Sequence, residues 1–556
     1  MQDKDKFWLN GNSKLSDIPN LIPRKEQIEM VSFCKESIID NKKKVIMIDA
    51  PVGIGKSIFA IMFMDWYKNN YDPGAQYDVL TNSKLLQEQY TREFTFMDSL
   101  WGKDNYRCNN FDCSCSTGKE MSAALKRSCN DCPYDIAREN FFNGDVSLTN
   151  FHLFLTYKML NPNAWKRKAR VLIVDEAHSL DSVASDFFST KISRAVLMRL
   201  GVTREEAITV LENIHTVRNA TDYSDFVKNT LIKFMSIHLS KMNTIAKNTN
   251  SSKDIELVQT IGQAINKWTR FIEEFEDDKN NWTFEVKIVK DFTKGKKRAQ
   301  GEDETELEVQ PVWVSKYLHK YIWSKYDHII LMSGTILNKE LFSSINGINN
   351  DESTYICIPS PFPLENRKIY YIPIGKMSYN LKQQTFNKQI VYLEKILNNH
   401  NNDKGIIHSS TYEIAKWIDD RIDYKNKKRL LLPVSENKIQ ILEQHSNIDS
   451  INTVLLSPSM TEGVDLKDDL SRFQVLMKIP YPSLASEKIK KRIESNNKWY
   501  GWLTVTTIMQ AMGRSVRSNK DYCTSYIIDT CFEDLMKSSG NYMPKWFKDS
   551  IIKVNI

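Results

Sequence analysis

The stretch VIMIDAPVGIGKS (residues 45–57) decides the fold class of this 556-residue chain. Its first six residues form an apolar run of strand length, and a glycine-rich turn follows. The next segment, SIFAIMFMDWYK (57–68), has the apolar spacing of a helix. DVLTNS (78–83) and VLIVDE (171–176) are further strand-like runs. Strands that alternate with helices in this order predict an α/β fold with a parallel sheet.

A second series of strand-like runs predicts a second parallel-sheet domain. Between the two series, residues 181–310 have helical periodicity and predict a helical insertion. The insertion ends in TKGKKRAQGEDETELE (293–308), for which a solvated loop is the favoured interpretation and a strand-contacting loop the alternative. The runs of the second series are IYYIPI (369–374), GIIHSS (405–410), TVLLSPS (453–459), FQVLMKIP (473–480) and SYIIDT (525–530).

Composition excludes several classes of protein. Apolar residues make up 41% and charged residues 26%, which is ordinary for a soluble globular protein, and 19 Gly and 16 Pro exclude a collagen-like chain. No apolar run approaches the ~18 residues of a membrane helix, and the opening MQDKDKFWLN lacks a signal-peptide core. We therefore expect no membrane association, and a cytoplasmic or, in a eukaryote, nuclear location. The net charge of +7 permits nucleic-acid binding without requiring it.

The glycine-rich turn has the chemistry of a phosphate site. Gly53 and Gly55 let the backbone approach phosphates closely, so that the loop amides and the helix N-terminus face the anion. Lys56 is placed to reach the β- and γ-phosphates, and Ser57 to ligate Mg²⁺.

Two further motifs supply the groups that nucleotide hydrolysis needs. VLIVDEAH (171–178) ends a strand in two carboxylates, of which Asp175 suits the Mg²⁺ shell and Glu176 suits activation of the attacking water. QAMGRSVR (510–517) carries two arginines, Arg514 and Arg517, that share a helix face and are suited to stabilising charge on the γ-phosphate. RKEQ (24–27) precedes the first strand, and the Gln27 amide could read the adenine edge, although a surface role is an equal alternative.

Five of the nine cysteines fall in the pattern C-x4-C-x-C-x13-C-x2-C at Cys108, Cys113, Cys115, Cys129 and Cys132. A disulfide framework is not expected in a long chain without an export signal. The pattern fits either Zn²⁺ or an iron–sulfur cluster, and spacing alone favours zinc.

Taken in order, these motifs resemble those of superfamily 2 helicases, and more narrowly the iron–sulfur branch that includes XPD and DinG. The resemblance extends along nearly the whole chain. Besides RKEQ, APVGIGKS, VDEAH and QAMGRSVR, it rests on LTNSKLLQEQ (80–89), CPYDIARENFFNGDVSLTNFHLFL (132–155), MSGTIL (332–337), SPFPLENR (360–367), GIIHSSTYE (405–413) and SPSMTEGVDL (457–466).

The resemblance implies two RecA-like domains with ATP between them. The first would comprise residues 1–101, 147–180 and 311–345, and the second residues 346–556, while 102–146 would be an iron–sulfur domain and 181–310 an arch-like insertion. Because the cysteines lie where this branch of helicases has a [4Fe–4S] domain, the resemblance changes the predicted metal site from zinc to a [4Fe–4S] cluster. For ATP hydrolysis the resemblance implies Lys56, Ser57, Asp175 and Glu176 from the first domain and Arg514 and Arg517 from the second. For nucleotide binding it implies Arg24, Gln27, Gly53, Gly55, Asp465 and Gln510, and for coupling hydrolysis to strand contacts it implies Ser333 and Thr335. The cluster ligands would be Cys108, Cys129, Cys132 and Cys113, with Cys115 competing with Cys113.

The predicted activity is an ATP-dependent DNA helicase that moves 5′→3′ on single-stranded DNA and unwinds fork or overhang duplexes, with ATP, Mg²⁺ and a [4Fe–4S] cluster. We expect a monomer, with a possible protein loading partner. Trp101, Tyr106 and Arg107 flank the cysteines and are candidate strand contacts. Two alternatives stay open: a DEAH-type RNA helicase or remodeller, and a nucleic-acid-binding module with a structural metal site.

Overall fold

The computed structural model describes residues 22–124, 131–160, 165, 167–249, 251–289, 304–378, 380–433, 438–447, 450–458, 466, 468–513 and 516–555. In this part of the chain the strands form three sheets. They are β1 (Val45–Asp49), β2 (Tyr77–Thr81), β3 (Asp98–Ser99), β4 (Val146–Asn150), β5 (Val171–Val174), β6 (Thr190–Ile192), β7 (Trp282–Val289), β8 (Glu304–Pro311), β9 (His328–Ser333), β10 (Ser353–Cys357), β11 (Ile369–Gly375), β12 (Gly405–His408), β13 (Leu430–Leu431), β14 (Val454–Ser457), β15 (Phe473–Leu476), β16 (Thr524–Asp529) and β17 (Ile551–Lys553).

The first sheet is parallel, with the order β10-β1-β9-β5-β2-β4-β3. Its central strands are apolar on both faces, as expected for a parallel sheet covered by helices on each side. In β9, Ile329 and Leu331 enter one core, whereas Ile330 and Met332 enter the other. The helices of this domain are Lys25–Ile39, Lys56–Asn70, Lys84–Glu93, Phe151–Leu160, Leu180–Phe188, Ser315–Tyr321 and Lys339–Asn346.

The second sheet is also parallel, with the order β13-β14-β12-β15-β16-β11-β17. The predicted α/β class with two parallel-sheet domains is therefore confirmed. The sequence placed the end of the first domain at residue 345, whereas β10 pairs with β1 and extends the first sheet to Cys357. The helices here are Lys382–Asn399, Tyr412–Arg421, Tyr424–Lys427, Lys438–Ser446, Glu487–Ser495, Asn497–Met512, Cys531–Ser539 and Lys545–Lys548.

The insertion predicted at 181–310 is only partly helical. An antiparallel sheet, β6-β8-β7, joins it to the first domain, and β8 contains the acidic half of the charged segment for which a solvated loop was favoured. That half is a strand because Leu307 and Val309 are buried, while Glu306 and Glu308 pair with Lys191 at 3.2 and 3.4 Å. Residues 290–303 lie outside the described residues. The helices are Arg194–Arg199, Arg204–Val210, Ala220–Phe226, Ile232–Thr249 and Ser252–Asp277, with a π-helical turn at Val227–Leu231.

The cysteine domain lies between β3 and β4 and contains the helices Cys115–Ala124 and Pro133–Asn143. The first of these helices packs against Ser252–Asp277 of the insertion through a reciprocal pair of hydrogen bonds. Ser116 Oγ donates to Gln259 Oε1 at 2.8 Å, and Gln259 Nε2 donates to the Ser116 carbonyl at 3.1 Å. The cysteine domain and the insertion thus contact each other directly. Among the described helices, none combines the length and apolarity needed to span a bilayer.

A buried ion pair stabilises the first domain at β2. Arg167 Nε donates to Asp78 Oδ1 at 2.7 Å, and the two side chains are 0% and 2% exposed. The Tyr326 hydroxyl donates to Asp78 Oδ2 at 2.6 Å, so the second carboxylate oxygen is also satisfied. Removing one member of such a pair leaves an uncompensated buried charge.

We predict that Asp78→Ala lowers the free energy of unfolding of the first domain by about 3–5 kcal/mol, because Arg167 remains buried without its counter-ion. Urea unfolding monitored by circular dichroism measures the change. Lys68→Ala is the matched control, because the Lys68–Asp145 pair is 37% and 48% exposed and such pairs contribute only about 0–1 kcal/mol. An equal effect of the two substitutions would contradict the prediction.

Candidate functional site

The loop at residues 50–57 joins β1 to the helix Lys56–Asn70 at the carboxyl edge of the first sheet, where ligands bind in open α/β sheets. Gly53 and Gly55 have φ values of +85° and +89°, which only glycine adopts without strain. Lys56 begins the helix, and its Nζ donates to the Ala50 carbonyl at 3.2 Å. The loop therefore wraps around the lysine and presents the first helical turn, the arrangement that binds phosphates.

Arg24 and Gln27 contact this loop directly. Arg24 Nη1 donates to the Gly53 carbonyl at 2.6 Å, and Gln27 Nε2 donates to the Ile54 and Gly55 carbonyls at 3.1 and 3.2 Å. Gln27 Oε1 accepts from the Arg24 amide at 2.8 Å, so both ends of the Gln27 amide bond to the backbone. These contacts hold the loop in shape, and recognition of adenine by Gln27 stays a prediction.

The two carboxylates after β5 occupy different environments. Asp175 is buried, accepts a hydrogen bond from the Tyr90 hydroxyl at 2.8 Å, and has its pKa raised by burial and by the neighbouring Glu176. Glu176 lies in the left-handed region at φ +52°, which turns the chain so that its side chain is partly exposed. Tyr90 also interacts with Ser57, so Ser57 and Asp175 share one neighbour and provide the oxygen ligands that Mg²⁺ prefers.

A series of polar contacts links the Glu176 carboxylate to the second domain. His178 Nδ1 lies 3.2 Å from Glu176 Oε2 and 2.9 Å from Ser333 Oγ. The Thr335 amide donates to Ser333 Oγ at 3.1 Å, and Gln510 Nε2 donates to Thr335 Oγ1 at 3.0 Å. Gln510 lies on the helix Asn497–Met512 of the second domain, so the contacts cross the seam between the two domains.

Arg517, the last residue of the arginine segment (residues 510–517), meets the glycine-rich loop at the same seam. A Cβ added at Gly53 would lie 2.8 Å from Arg517 Cα and 2.9 Å from the Arg517 carbonyl oxygen. The Arg517 amide donates to Asp521 Oδ2 at 3.1 Å, which fixes the backbone of this segment. The structure therefore brings Arg517 to the predicted phosphate site. Arg514 and Asp465 lie outside the described residues.

The cysteine domain brings its described thiols into two pairs. Cys115 and Cys132 interact through a hydrogen bond, and a Cβ added at Gly118 would lie 2.4 Å from Cys108 Sγ and 3.5 Å from Cys113 Sγ. The residues that the structure describes, which omit Cys129, contain no formed group of three or more potential metal ligands. The donor set is nevertheless entirely sulfur, which fits an iron–sulfur cluster or zinc.

The three candidate strand contacts beside the cysteines differ in exposure. Trp101 and Tyr106 are half-buried. The Trp101 amide donates to the Tyr106 hydroxyl at 3.1 Å, and the Tyr106 ring packs edge-on to Tyr134 with ring centres 5.6 Å apart. Arg107 is 80% exposed and pairs with Asp112. Arg107 is therefore the most accessible of the three to a ligand.

Comparison with known proteins agrees with this geometry. A Helicase C-terminal domain family matches residues 393–550, and the DEAD_2 family matches residues 88–197. The ATP-dependent DNA helicase DinG of Photobacterium profundum is 23% identical over 92% of this chain and 94% of its own length. The helicase YoaA of Haemophilus influenzae is 22% identical over 94% and 93%. The chain is similar to the DinG/XPD-like helicases of superfamily 2, and the resemblance predicted from its motifs is confirmed.

Solved structures agree with the fold described above. An XPD helicase structure superimposes with a TM-score of 0.64 at 17% identity and covers 96% of this chain and 100% of its own. An apo XPD structure gives a TM-score of 0.60 at 16% identity. The similar proteins are named ATP-dependent DNA helicases, which confirms the prediction that the chain is an ATP hydrolase of the helicase class.

The sequence did not single out Asp49, the last residue of β1. Its Oδ2 accepts from the Leu337 amide at 2.6 Å and from the Tyr355 hydroxyl at 3.0 Å, so it joins the loop after β9 to β1. Burial raises the pKa of Asp49 to about 6, against 3.8 ordinarily, although these hydrogen bonds and Lys56 act in the opposite direction. An acidic residue at the end of an otherwise apolar strand, directly before the glycine-rich loop, was the available signal.

We predict that Asp49 makes the helicase less stable as pH rises from about 4 to 6. In this window the folded protein retains a proton that the unfolded chain has released, so ionising the buried carboxyl costs roughly 3 kcal/mol. Asp49→Asn removes this titration and flattens the dependence. Urea midpoints measured across that range test the prediction, with Glu36→Gln on an exposed helix face as the control. Parallel pH profiles for wild type and Asp49→Asn would contradict it.

Proposed function

We propose that the chain is an ATP-dependent DNA helicase that moves 5′→3′ along single-stranded DNA and unwinds duplex DNA. The observation that best supports the proposal is the series of polar contacts that leads from Glu176 through His178, Ser333 and Thr335 to Gln510. It joins the predicted hydrolytic carboxylate to the second domain, as a motor that couples hydrolysis to domain movement requires. DNA as the substrate is supported by the DinG and XPD relatives, which are named DNA helicases, and the polarity rests on the family resemblance.

The glycine-rich loop at residues 50–57, the P-loop of this proposal, binds the phosphates of ATP together with its neighbours. The amides at the start of the helix Lys56–Asn70 point toward the anion, and the Lys56 ammonium contacts the β- and γ-phosphates. Arg24 and Gln27 keep the loop open by bonding to its carbonyls, which leaves the loop amides for the ligand. Asp465, from the second domain, is proposed as a further nucleotide contact.

Hydrolysis divides its roles between the two carboxylates. Mg²⁺, held by Ser57 and Asp175, would neutralise charge on the phosphates. Glu176 accepts the proton of the attacking water, because its side chain reaches solvent while His178 holds it in place. Arg514 and Arg517 stabilise the charge that develops on the γ-phosphate from the opposite side of the seam.

Movement follows because the nucleotide contacts both domains. Bound ATP favours the closed seam, in which Arg517 lies against Gly53 and Gln510 bonds to Thr335. Loss of the γ-phosphate removes the contact with the arginines, so the equilibrium shifts toward a more open arrangement. Alternation between the two arrangements advances the domains along a strand.

The cysteine domain is proposed to hold a [4Fe–4S] cluster at the point of strand separation. Cys108, Cys129, Cys132 and one of Cys113 and Cys115 would be its ligands, and the cluster would cross-link the segments of the domain that carry them. Its packing against the insertion through Ser116 and Gln259 supports a shared opening for one strand.

The first test measures ATP hydrolysis with single-stranded DNA and with RNA of equal length. We expect stimulation by DNA, and we expect Lys56→Ala and Glu176→Gln each to lower kcat at least about a hundredfold, because each removes a group acting on the transferring phosphate. Lys68→Ala, on the same helix but paired with Asp145 at the surface, serves as the control and keeps full activity. Equal hydrolysis in wild type and Lys56→Ala would instead support a binding module.

Strand displacement then tests the helicase activity itself. Duplexes with a 5′ overhang, a 3′ overhang or blunt ends are compared at one ATP concentration, and unwinding is expected only from the 5′ overhang. Unwinding from the 3′ overhang alone would reverse the polarity. Stimulation by RNA together with RNA unwinding would replace the DNA assignment by the RNA helicase alternative.

A separate prediction concerns the metal. Anaerobically purified protein is expected to show a broad visible absorption band and about four irons per chain. Cys132→Ser should lose the iron, whereas Cys34→Ala, a buried thiol on the helix Lys25–Ile39, should keep it. Cys113→Ser and Cys115→Ser, made separately, identify the fourth ligand, for which we propose Cys113. A colourless protein that contains zinc would refute the cluster and leave the hydrolysis site unaffected.

A further inference from the structure

One helix belongs to the cores of both domains. At the start of Asn497–Met512, Trp499 and Trp502 pack in the core shared with the first domain and the insertion. Toward its end, Ile508 and Met512 pack in the core of the second domain. The same helix carries Gln510 and leads into the arginine segment. Its position therefore determines where that segment meets the P-loop.

A buried arginine just before this helix fixes it to the first domain. Arg492 is 3% exposed and forms two hydrogen bonds with the Asp181 carboxylate, from Nη1 at 2.6 Å and from Nη2 at 2.9 Å. Its Nε donates to the Val312 carbonyl at 2.6 Å. The guanidinium carbon also lies 4.5 Å from the Trp313 ring centre and 5.0 Å from that of Trp499.

The partner of Arg492 lies beside the hydrolytic motif. Asp181 is the second residue of the helix Leu180–Phe188, which begins directly after the turn containing His178. His178 contacts Glu176 and Ser333, as described above. One end of the ion pair is therefore attached to the carboxylate motif and the other to the helix that carries Gln510.

Neighbouring contacts hold the stretch from residue 486 to residue 502 against the first domain and the antiparallel sheet. Ser486 Oγ donates to Glu285 Oε1 at 2.7 Å, and Lys491 Nζ donates to the Trp282 carbonyl at 3.0 Å. Trp502 Nε1 donates to the Ile336 carbonyl at 3.0 Å. These contacts orient the helix, but among them Arg492 forms the bidentate ionic contact, which fixes direction as well as distance.

We propose that Arg492 is a positioning residue for ATP hydrolysis: its ion pair with Asp181 sets the place of the arginine segment relative to the P-loop. The inference rests on the proposed ATPase function. A helix of 16 residues is about 24 Å long, so a small tilt at its anchored end displaces Gln510 and the segment beyond it. Arg492 acts through this helix, and its guanidinium contacts Asp181, Val312 and the two tryptophans.

The experiment separates positioning of the transition state from binding of the nucleotide. Arg492→Met and Asp181→Asn are expected to lower kcat about tenfold while KM for ATP stays within about threefold, because the P-loop is unchanged. Affinity for ADP with aluminium fluoride, a mimic of the transferring phosphate, should fall about tenfold, whereas affinity for ADP alone should be retained. Arg492→Lys keeps the charge but not the fork, so its kcat should be intermediate.

Lys490→Gln is the matched control, because Lys490 lies on the same helix and pairs at the surface with Glu487. Activity of Arg492→Met equal to that of Lys490→Gln would overturn the inference, as would equal losses of affinity for ADP and for ADP with aluminium fluoride. If Arg492→Met does not fold, Arg492→Lys and Asp181→Asn decide the question by the same two affinities. A wild-type protein that hydrolyses no ATP would refute the proposed function and this inference with it, whereas an active wild type with unaffected variants refutes the inference alone.

Discussion

The close approach of Arg517 to Gly53 is the constraint on which the seam depends. Gly53 has no side chain, and the backbone of the second domain lies where a Cβ would otherwise be. Any other residue would separate the two domains at this point and lengthen the hydrogen bond between Gln510 and Thr335. The glycine that allows phosphates near the loop thus also allows the second domain near it. Binding and closure therefore depend on the same backbone position.

Electrostatics at the seam follow from the burial of acidic groups. Asp49 and Asp175 are both buried near Lys56, and burial raises the pKa of each. Glu176 adds a third carboxylate beside Asp175, so that, among the described residues, three carboxyl groups lie close to the Lys56 ammonium. A divalent cation bound through Ser57 and Asp175 would reduce this excess of negative charge. The Tyr90 hydroxyl donates to Asp175 because an ionised carboxylate can only accept hydrogen bonds.

The sequence predicted most of the parallel sheets, because their strands are continuous apolar runs and their loops carry recognisable phosphate chemistry. It predicted that Lys56, Asp175, Glu176, Gln510 and Arg517 share a site, and the structure brings these described residues together at one seam. It missed the antiparallel sheet, since β7 and β8 are joined by a charged segment that obscures their pairing, although Trp282 and Phe284 alternate with polar residues. It also missed Asp49 and the Arg492–Asp181 pair. Contacts between residues that are remote in sequence leave no periodic signal in either partner.

Pairing of β6 with β8 has a consequence for the architecture of the insertion. The chain enters through Thr190–Ile192 and leaves through β8, and Thr190 stands opposite Val309. Opposed residues of antiparallel strands are only about 5 Å apart, so entry and exit are neighbours. The insertion therefore leaves and rejoins the first domain at one place, where a short turn would be long enough to close the chain, although its side chains share a hydrophobic core with the first sheet.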